Sequence, residues 1–291
     1  MNGNLNRSLR ERLAPGAALL VPGAANALGA HIIERSGFAA VYVTGAGIAN
    51  SYLGVPDIGL LTLTELAQHV AAMRAAVAMP LIVDADTGFG NAINVAHTVR
   101  TLEQAGANAI QIEDQQFPKK CGHFAGKSVI DPAEMAMKVK AAVHARRDPD
   151  LLIIARTDAI AVNGFEDALA RAALYREAGA DLTFVEAPRT LAEIQRIPQA
   201  LACPQVMNIV SGGLSPMLAQ DELARLGYAM VLYANAALQA AMQAMTETLA
   251  HLQRTGSLAG AEAMLMDFAE RQAAVGKDSY DALERRYSLK D

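Results

Sequence analysis

Residues 80–90 read PLIVDADTGFG, a short apolar run that ends in two aspartates and a glycine-rich turn. A run this short and this continuously apolar is typical of a strand buried on both faces of a parallel sheet. Similar runs recur along the chain at Ala17–Val21, Ala39–Val43, Pro80–Val83, Ala109–Ile112, Leu151–Ala155, Leu182–Val185, Gln205–Met207 and Tyr228–Leu232. The stretch therefore belongs to a repeated pattern of strands.

The segments between these runs have helical periodicity, as in Leu63, Leu66 and Val70. Eight β-then-α units predict an α/β protein with a (β/α)₈ TIM barrel, formed by residues 1–291 as a single domain. The competing fold, a doubly wound open sheet, usually has a G-x-G-x-x-G turn after its first strand, and residues 22–27 (PGAANA) do not fit it. Residues 236–291 predict a C-terminal helical extension, whose surplus apolar helix is expected to pack on a partner subunit.

Composition excludes several classes of partner. The chain has 291 residues, 52% of them hydrophobic, and a net charge of −5 with acidic and basic residues mixed. Nucleic acid and membranes are therefore not expected partners. The two cysteines, Cys121 and Cys203, are far apart and are expected to be reduced thiols. With no secretory segment and no bilayer-length apolar run, the protein is expected to be soluble and cytoplasmic.

Carboxylates follow two neighbouring predicted strands. Asp84 and Asp86 follow the third strand and Glu113 follows the fourth. Active sites of barrels are built at this carboxyl end, and side chains at i and i+2 of a strand point the same way. An oxygen-only set of this kind suits Mg²⁺, or Mn²⁺, and the lack of a nearby His or Cys disfavours zinc. The alternative is that the Asp pair caps the next helix.

Cys121 stands in the sequence PKKCGH (residues 118–123), in a predicted long loop after the fourth strand. Neighbouring cations favour thiolate, so this cysteine is predicted to be reactive, although a lone cysteine is more often a small buried hydrophobe. A nucleophilic dyad of Cys121 with His123 is disfavoured, because such pairs normally come from separate elements. Long loops of barrels are commonly lids, and residues 115–130 are expected to behave as one.

Four motifs, VDADTGFG (83–90), IEDQ (112–115), KKCGH (119–123) and ARTDA (155–159), resemble the isocitrate lyase/phosphoenolpyruvate mutase superfamily. The KKCGH block resembles its lyase branch, which includes 2,3-dimethylmalate lyases, 2-methylisocitrate lyases and the petal death protein. The resemblance implies a barrel whose eighth helix is exchanged between subunits. Helix-exchanged dimers would then pair into a homotetramer.

The resemblance also implies roles for individual residues. Cys121 would be the general acid, with Lys120 and His123 adjusting its acidity and Tyr42 a candidate for handling the hydroxyl proton. Asp84, Asp86 and Glu113 would hold Mg²⁺, with Asp57 near the metal. The residues expected to bind substrate are Thr44, Gly45, Ala46, Gly122, Arg156, Glu186 and Asn208.

Together these features predict a Mg²⁺-dependent carbon–carbon lyase that cleaves a small 2-hydroxy dicarboxylate of the 2-alkylmalate or 2,3-dimethylmalate type. Gln239 falls where methylisocitrate lyases carry an Arg for an additional carboxylate. A neutral amide cannot form that charge-assisted pair, which favours a dicarboxylate substrate. The alternatives are oxaloacetate hydrolysis, 2-methylisocitrate cleavage, a carboxyphosphonoenolpyruvate mutase, and a catalytically silent binding protein.

Overall fold

The computed structural model describes residues 2–122, 124 and 126–288 and contains a closed barrel of eight parallel strands. The strands follow one another in chain order, and the first pairs with the eighth. They are β1 (Leu19–Ala24), β2 (Val41–Val43), β3 (Leu81–Asp84), β4 (Ala109–Glu113), β5 (Leu152–Thr157), β6 (Leu182–Val185), β7 (Gln205–Asn208) and β8 (Met230–Tyr233). The predicted (β/α)₈ barrel is confirmed.

Every predicted strand is present, but several ends are displaced. Strand β5 continues two residues beyond Ala155, and in the ladder Arg156 lies opposite Glu113 of β4. Hydropathy places a strand end at the first charged residue, whereas backbone hydrogen bonding continues through it. The two charged side chains are therefore neighbours within the sheet.

Helices surround the barrel and extend beyond it. They are α1 (Asn2–Arg12), α2 (Ala27–Arg35), α3 (Gly45–Ile48), α4 (Leu63–Ala76), α5 (Ala92–Ala105), α6 (Pro132–Ala145), α7 (Phe165–Glu177), α8 (Leu191–Ala200), α9 (Gln220–Leu226), α10 (Ala236–Thr255), α11 (Phe268–Ala274) and α12 (Lys277–Tyr287). The last three form the predicted C-terminal extension. Within the described chain, none of these helices has the length and apolarity needed to cross a bilayer.

Helix α1 closes the amino-terminal end of the barrel. Its Leu9 is fully buried, and Asn108, just before β4, donates a hydrogen bond to Asn6 at 2.6 Å. Arg10 pairs with Asp181, just before β6, at 3.0 Å. Because this end is covered, the carboxyl ends of the strands are the accessible face of the barrel.

Candidate active site

A cavity of about 210 Å³ lies at the carboxyl ends of the strands. It collects side chains from β2, β3, β5, β6 and β7 and from the segment after β4. The predicted site residues that line it are Tyr42, Thr44, Ala46, Asp57, Asp84, Cys121, Gly122, Arg156, Glu186 and Asn208. The fold thus brings together residues that are more than 160 positions apart in the sequence.

Asp84 and Asp86 approach the same point, but not through the strand alternation that the sequence predicts. Strand β3 ends at Asp84, and Asp86 adopts a left-handed conformation with φ of 47°. Both carboxylates face Gly45, where a Cβ atom would lie 3.3 Å from Asp86 Oδ1 and 3.5 Å from Asp84 Oδ2. A glycine at this position therefore leaves room for the two carboxylates.

The Lys119 ammonium lies among these carboxylates. Its Nζ is 2.7 Å from Asp86 Oδ1 and 2.5 Å from Asp57 Oδ1, and the lysine side chain is almost completely buried. The sequence does not distinguish Lys119 from Lys120, because two adjacent lysines give no sign of which one turns inward. Lys120 points elsewhere, and its ammonium donates to the carbonyl oxygen of Gly126 at 2.9 Å.

The predicted metal set is only partly assembled. Glu113 pairs through Oε2 with Arg156 at 3.3 Å, while its buried Oε1 has no hydrogen-bond partner among the described residues. No three His, Cys, Asp or Glu side chains in residues 2–122, 124 and 126–288 stand at the spacing of a complete metal site. An unpartnered carboxylate oxygen beside the converging Asp84 and Asp86 nevertheless fits a hard divalent cation completed by water.

Four carboxylates, those of Asp57, Asp84, Asp86 and Glu113, form an acidic cluster. Their negative charges outnumber the positive charges of Lys119 and Arg156, with which Asp57, Asp86 and Glu113 pair. Burial raises the pKa of Asp86 to about 6 against the opposing effect of Lys119. Burial also raises the pKa of Glu113 well above its usual value, although Arg156 opposes the rise. For the Tyr42 hydroxyl, burial and then the charge of Asp84 raise the pKa, so that Tyr42 keeps its proton and can donate a hydrogen bond. Additional positive charge would therefore be favourable here.

Arg156 is held from several sides. Its Nε donates to Asp158 Oδ2 at 2.9 Å and its Nη2 to Asp158 Oδ1 at 3.1 Å. The guanidinium also lies over the Phe184 ring, 5.3 Å from the ring centre. Burial alone would raise the pKa of Asp158, but Arg156 and Lys127 hold it at about 2. The predicted set of site residues omitted Asp158, although its i, i+2 spacing from Arg156 is visible in the sequence.

Residues 119–122 (the Cys121 segment) border the cavity through Lys119, Cys121 and Gly122. The Cys121 amide donates to the carbonyl oxygen of Asp57 at 3.1 Å, and the thiol residue is half-buried. The Gln115 side chain holds Lys120 through both backbone groups, at 2.7 and 3.0 Å. The predicted role of His123 lies outside the described residues. Cys121 and Gly122 both border the cavity.

Asp114 anchors the site from behind β4. This buried carboxylate accepts hydrogen bonds from the Tyr175 hydroxyl and the Thr157 hydroxyl, each at 2.7 Å, and from the Asp158 amide at 2.9 Å. Arg171 adds a contact at 3.3 Å. The network joins β4, β5 and α7 immediately beneath Arg156, so we expect it to stabilise both fold and site.

Replacing Asp114 with alanine should lower the melting temperature by at least about 5 °C, because it leaves the buried Tyr175 and Thr157 hydroxyls and the Asp158 amide without this acceptor. The measurement is thermal unfolding followed by circular dichroism at fixed protein concentration. The matched control is Asp221→Ala, which breaks an exposed ion pair with Arg225 and should change little. Equal small shifts in both variants would contradict an anchoring role for Asp114.

Comparisons with known proteins bear on the whole chain. Residues 9–253 match the family model described as phosphoenolpyruvate phosphomutase. The chain is 42% identical over 285 residues to 2,3-dimethylmalate lyase of Eubacterium barkeri, covering 98% of this chain and 99% of that protein. It is 43% identical over 282 residues to 2-methylisocitrate lyase of Aeropyrum pernix, covering 97% and 91%.

Two solved structures share the fold over nearly the whole chain. Oxaloacetate acetylhydrolase in complex with the inhibitor 3,3-difluorooxalacetate superposes with a TM-score of 0.92 at 30% identity, over 99% of this chain and 98% of that chain. Phosphonopyruvate hydrolase in complex with oxalate and Mg²⁺ superposes with a TM-score of 0.87 at 34% identity, over 97% and 98%. These proteins differ in the reactions their names describe.

Proposed function

Since the chain belongs to the phosphoenolpyruvate mutase/isocitrate lyase superfamily, we propose that it is a Mg²⁺-dependent carbon–carbon lyase for a 2-hydroxy dicarboxylate of the 2-alkylmalate type. The products would be a keto acid and a carboxylic acid. One observation carries the proposal: Cys121, Arg156 and Asp84 line the same cavity at the carboxyl end of the barrel. That arrangement combines a proton donor, a carboxylate-binding cation and a metal-binding edge.

Asp84 and Asp86 would hold Mg²⁺, with Glu113 contributing partly through water and Asp57 close by. When bound, the ion supplies Lewis-acid stabilisation of negative charge on the substrate oxygens. Phosphonopyruvate hydrolase, a structural relative, is known in complex with oxalate and Mg²⁺, which supports the same ion here. In this structure the Lys119 ammonium forms ion pairs with both Asp86 and Asp57.

The other site residues would bind the substrate and move protons. Arg156 would bind a substrate carboxylate through charge-assisted hydrogen bonds, and Tyr42, which keeps its proton, would donate to a second oxygen. The proton of the C2 hydroxyl would pass to one of the carboxylates of Asp84, Asp86 and Glu113, C2 would become the keto carbon, and the electron pair of the broken C2–C3 bond would remain on C3 as an enolate. Cys121, which lines the same cavity, would deliver a proton to C3 and become a thiolate. Thr44, Gly45, Ala46, Gly122, Glu186 and Asn208 would complete the substrate pocket.

The choice of substrate rests on neutral residues near β8. Gln239 lines a second cavity of about 210 Å³ beside the first, and both cavities share Val210 and Asn235. Its uncharged lining supports a dicarboxylate with an alkyl group over a tricarboxylate. A second candidate is hydrolysis of oxaloacetate to oxalate and acetate, favoured by the TM-score of 0.92 to an oxaloacetate acetylhydrolase.

A substrate screen with Mg²⁺ tests the proposal. We expect turnover of 2,3-dimethylmalate or 2-methylmalate to exceed that of 2-methylisocitrate and oxaloacetate, read as keto acid or oxalate formed, with activity lost on chelation by EDTA. Oxalate from oxaloacetate as the main product would establish the hydrolase instead. Absence of any product would leave the barrel as a binding protein and contradict the lyase.

We also propose that the chain forms homotetramers through helix exchange. No residue of α10 is buried in the part of the chain that the structure describes, and its Met242, Met245 and Leu249 are exposed. An apolar cavity of about 400 Å³ lies between α10 and α2. A helix with an uncovered apolar face supports packing on a second copy, and light scattering would measure the assembly.

A further inference from the structure

The Lys127 ammonium joins the Cys121 segment to the barrel. Its Nζ donates to Asp158 Oδ1 at 2.7 Å and also to the carbonyl oxygen of Gly122. The side chains of Lys127 and Asp158 are 1% and 0% exposed. An ion pair this deeply buried is costly to form unless its geometry is well satisfied, and it then fixes the relative position of its partners.

Asp158 is itself a fixed point on the barrel. Its amide donates to Asp114, and its carboxylate holds Arg156 through two hydrogen bonds. Oδ1 of the same carboxylate accepts from both Arg156 and Lys127. One carboxylate therefore links the arginine proposed to bind substrate with the lysine that holds the loop.

The backbone of Gly122 lies against the guanidinium of Arg156. A Cβ at this position would overlap Arg156 Nη2 and would lie 2.6 Å from Glu186 Oε1. The backbone at Gly122 is thus pressed against the substrate-binding groups, one residue from the thiol. A small displacement of Gly122 would change the distance between Cys121 and anything bound at Arg156.

The Cys121 segment is attached on both sides of the thiol. Before it, Gln115 holds Lys120, and the Cys121 amide bonds to Asp57. After it, Lys127 reaches back to the Gly122 carbonyl oxygen. The first attachment fixes the segment to Asp57, close to the carboxylates proposed to hold Mg²⁺. The second fixes it to Asp158, which holds Arg156.

We propose that Lys127 and Asp158 are positioning residues that set Cys121 relative to Arg156, so that the thiol reaches the carbon left by bond cleavage. The inference rests on the proposed function in taking Cys121 as the proton donor. The geometric part, that Lys127 holds the Cys121 segment, stands independently of which substrate is used.

The test is Lys127→Met, which keeps the length of the side chain and removes its charge and hydrogen bonds. Asp158 keeps Arg156 as a partner, so the variant should fold. We expect amide hydrogen exchange in the peptide covering residues 117–127 to accelerate by about tenfold or more, with α5 unchanged. We expect kcat to fall by about 10- to 100-fold with KM nearly unchanged, as for a misplaced catalytic group.

Two further variants separate positioning from general stabilisation. Lys127→Arg keeps the charge and donors and should recover most of kcat and of the exchange protection. Lys277→Met removes a lysine from an exposed ion pair with Asp281 and should match the unaltered protein in both readouts. If Lys127→Met does not fold, Lys127→Gln, which retains one donor for Gly122, is measured in the same way.

Unchanged exchange in residues 117–127 would overturn the inference, as would acceleration spread evenly over the whole chain. Acceleration confined to this peptide supports it even if the substrate screen finds no turnover. In that case the proposed function fails while the holding role of Lys127 stands. Local acceleration with an undiminished kcat would overturn the link to catalysis.

Discussion

Replacing Cys121 with serine is expected to lower kcat by about 10²- to 10⁴-fold, the contribution typical of one general acid. The serine hydroxyl would occupy nearly the same position beside Gly122, in the cavity that Arg156 also lines. An alcohol is a far weaker acid than a thiol, so it would deliver a proton much more slowly. Steady-state kinetics on the best substrate of the screen measures the effect.

Binding separates this chemical role from a structural one. Titration calorimetry with Mg²⁺ and with oxalate should give affinities close to those of the unaltered protein, because Arg156 and the carboxylates remain in place. The matched control is Cys203→Ser, since the Cys203 sulfur contacts Gln205 and Thr183 away from the cavity. A kcat that stays within about threefold in Cys121→Ser would refute the general-acid role.

Replacing Arg156 with methionine is expected to cost about 3–5 kcal/mol of unfolding free energy and to abolish measurable turnover. Arg156 pairs with Glu113 at 3.3 Å, and it also pairs with Asp158 and Glu186. Its side chain is only 10% exposed, so water cannot replace it. Methionine fills similar space over Phe184 but removes the positive charge that pairs with the buried Glu113.

Arg196 provides the control, because it makes an ion pair and a ring contact like those of Arg156 but at the surface. Arg196 pairs with Glu166 and lies over the Phe165 ring at 5.5 Å, but its side chain is 52% exposed. Arg196→Met should therefore cost less than about 1 kcal/mol and leave kcat unchanged. Chemical denaturation of both variants gives the comparison, and similar losses in the two would show that burial of Arg156 contributes little.

Much of the fold follows from local sequence. The eight apolar runs are each short and are followed by polar or glycine-containing residues, so the strand positions are predictable, and the predicted bounds of β6 agree with the structure at both ends. Strand ends were less predictable where charged residues join the ladder. Glu113 and Arg156 illustrate this, since their backbone groups pair within the sheet while hydropathy assigns them to loops.

The sequence by itself determined that carboxylates and an arginine meet at one rim, because parallel strands of a barrel all end on the same face. Only the tertiary structure decided that Lys119 and not Lys120 turns into the carboxylates, that Asp86 leaves the strand geometry, and that Asp158 joins Arg156 to Lys127. The physical reason is that these contacts depend on the path of a loop over the barrel. Buried charges pair with the opposite charges that the fold brings within contact distance. Neither hydropathy nor spacing along the chain gives the distance between residues of different segments.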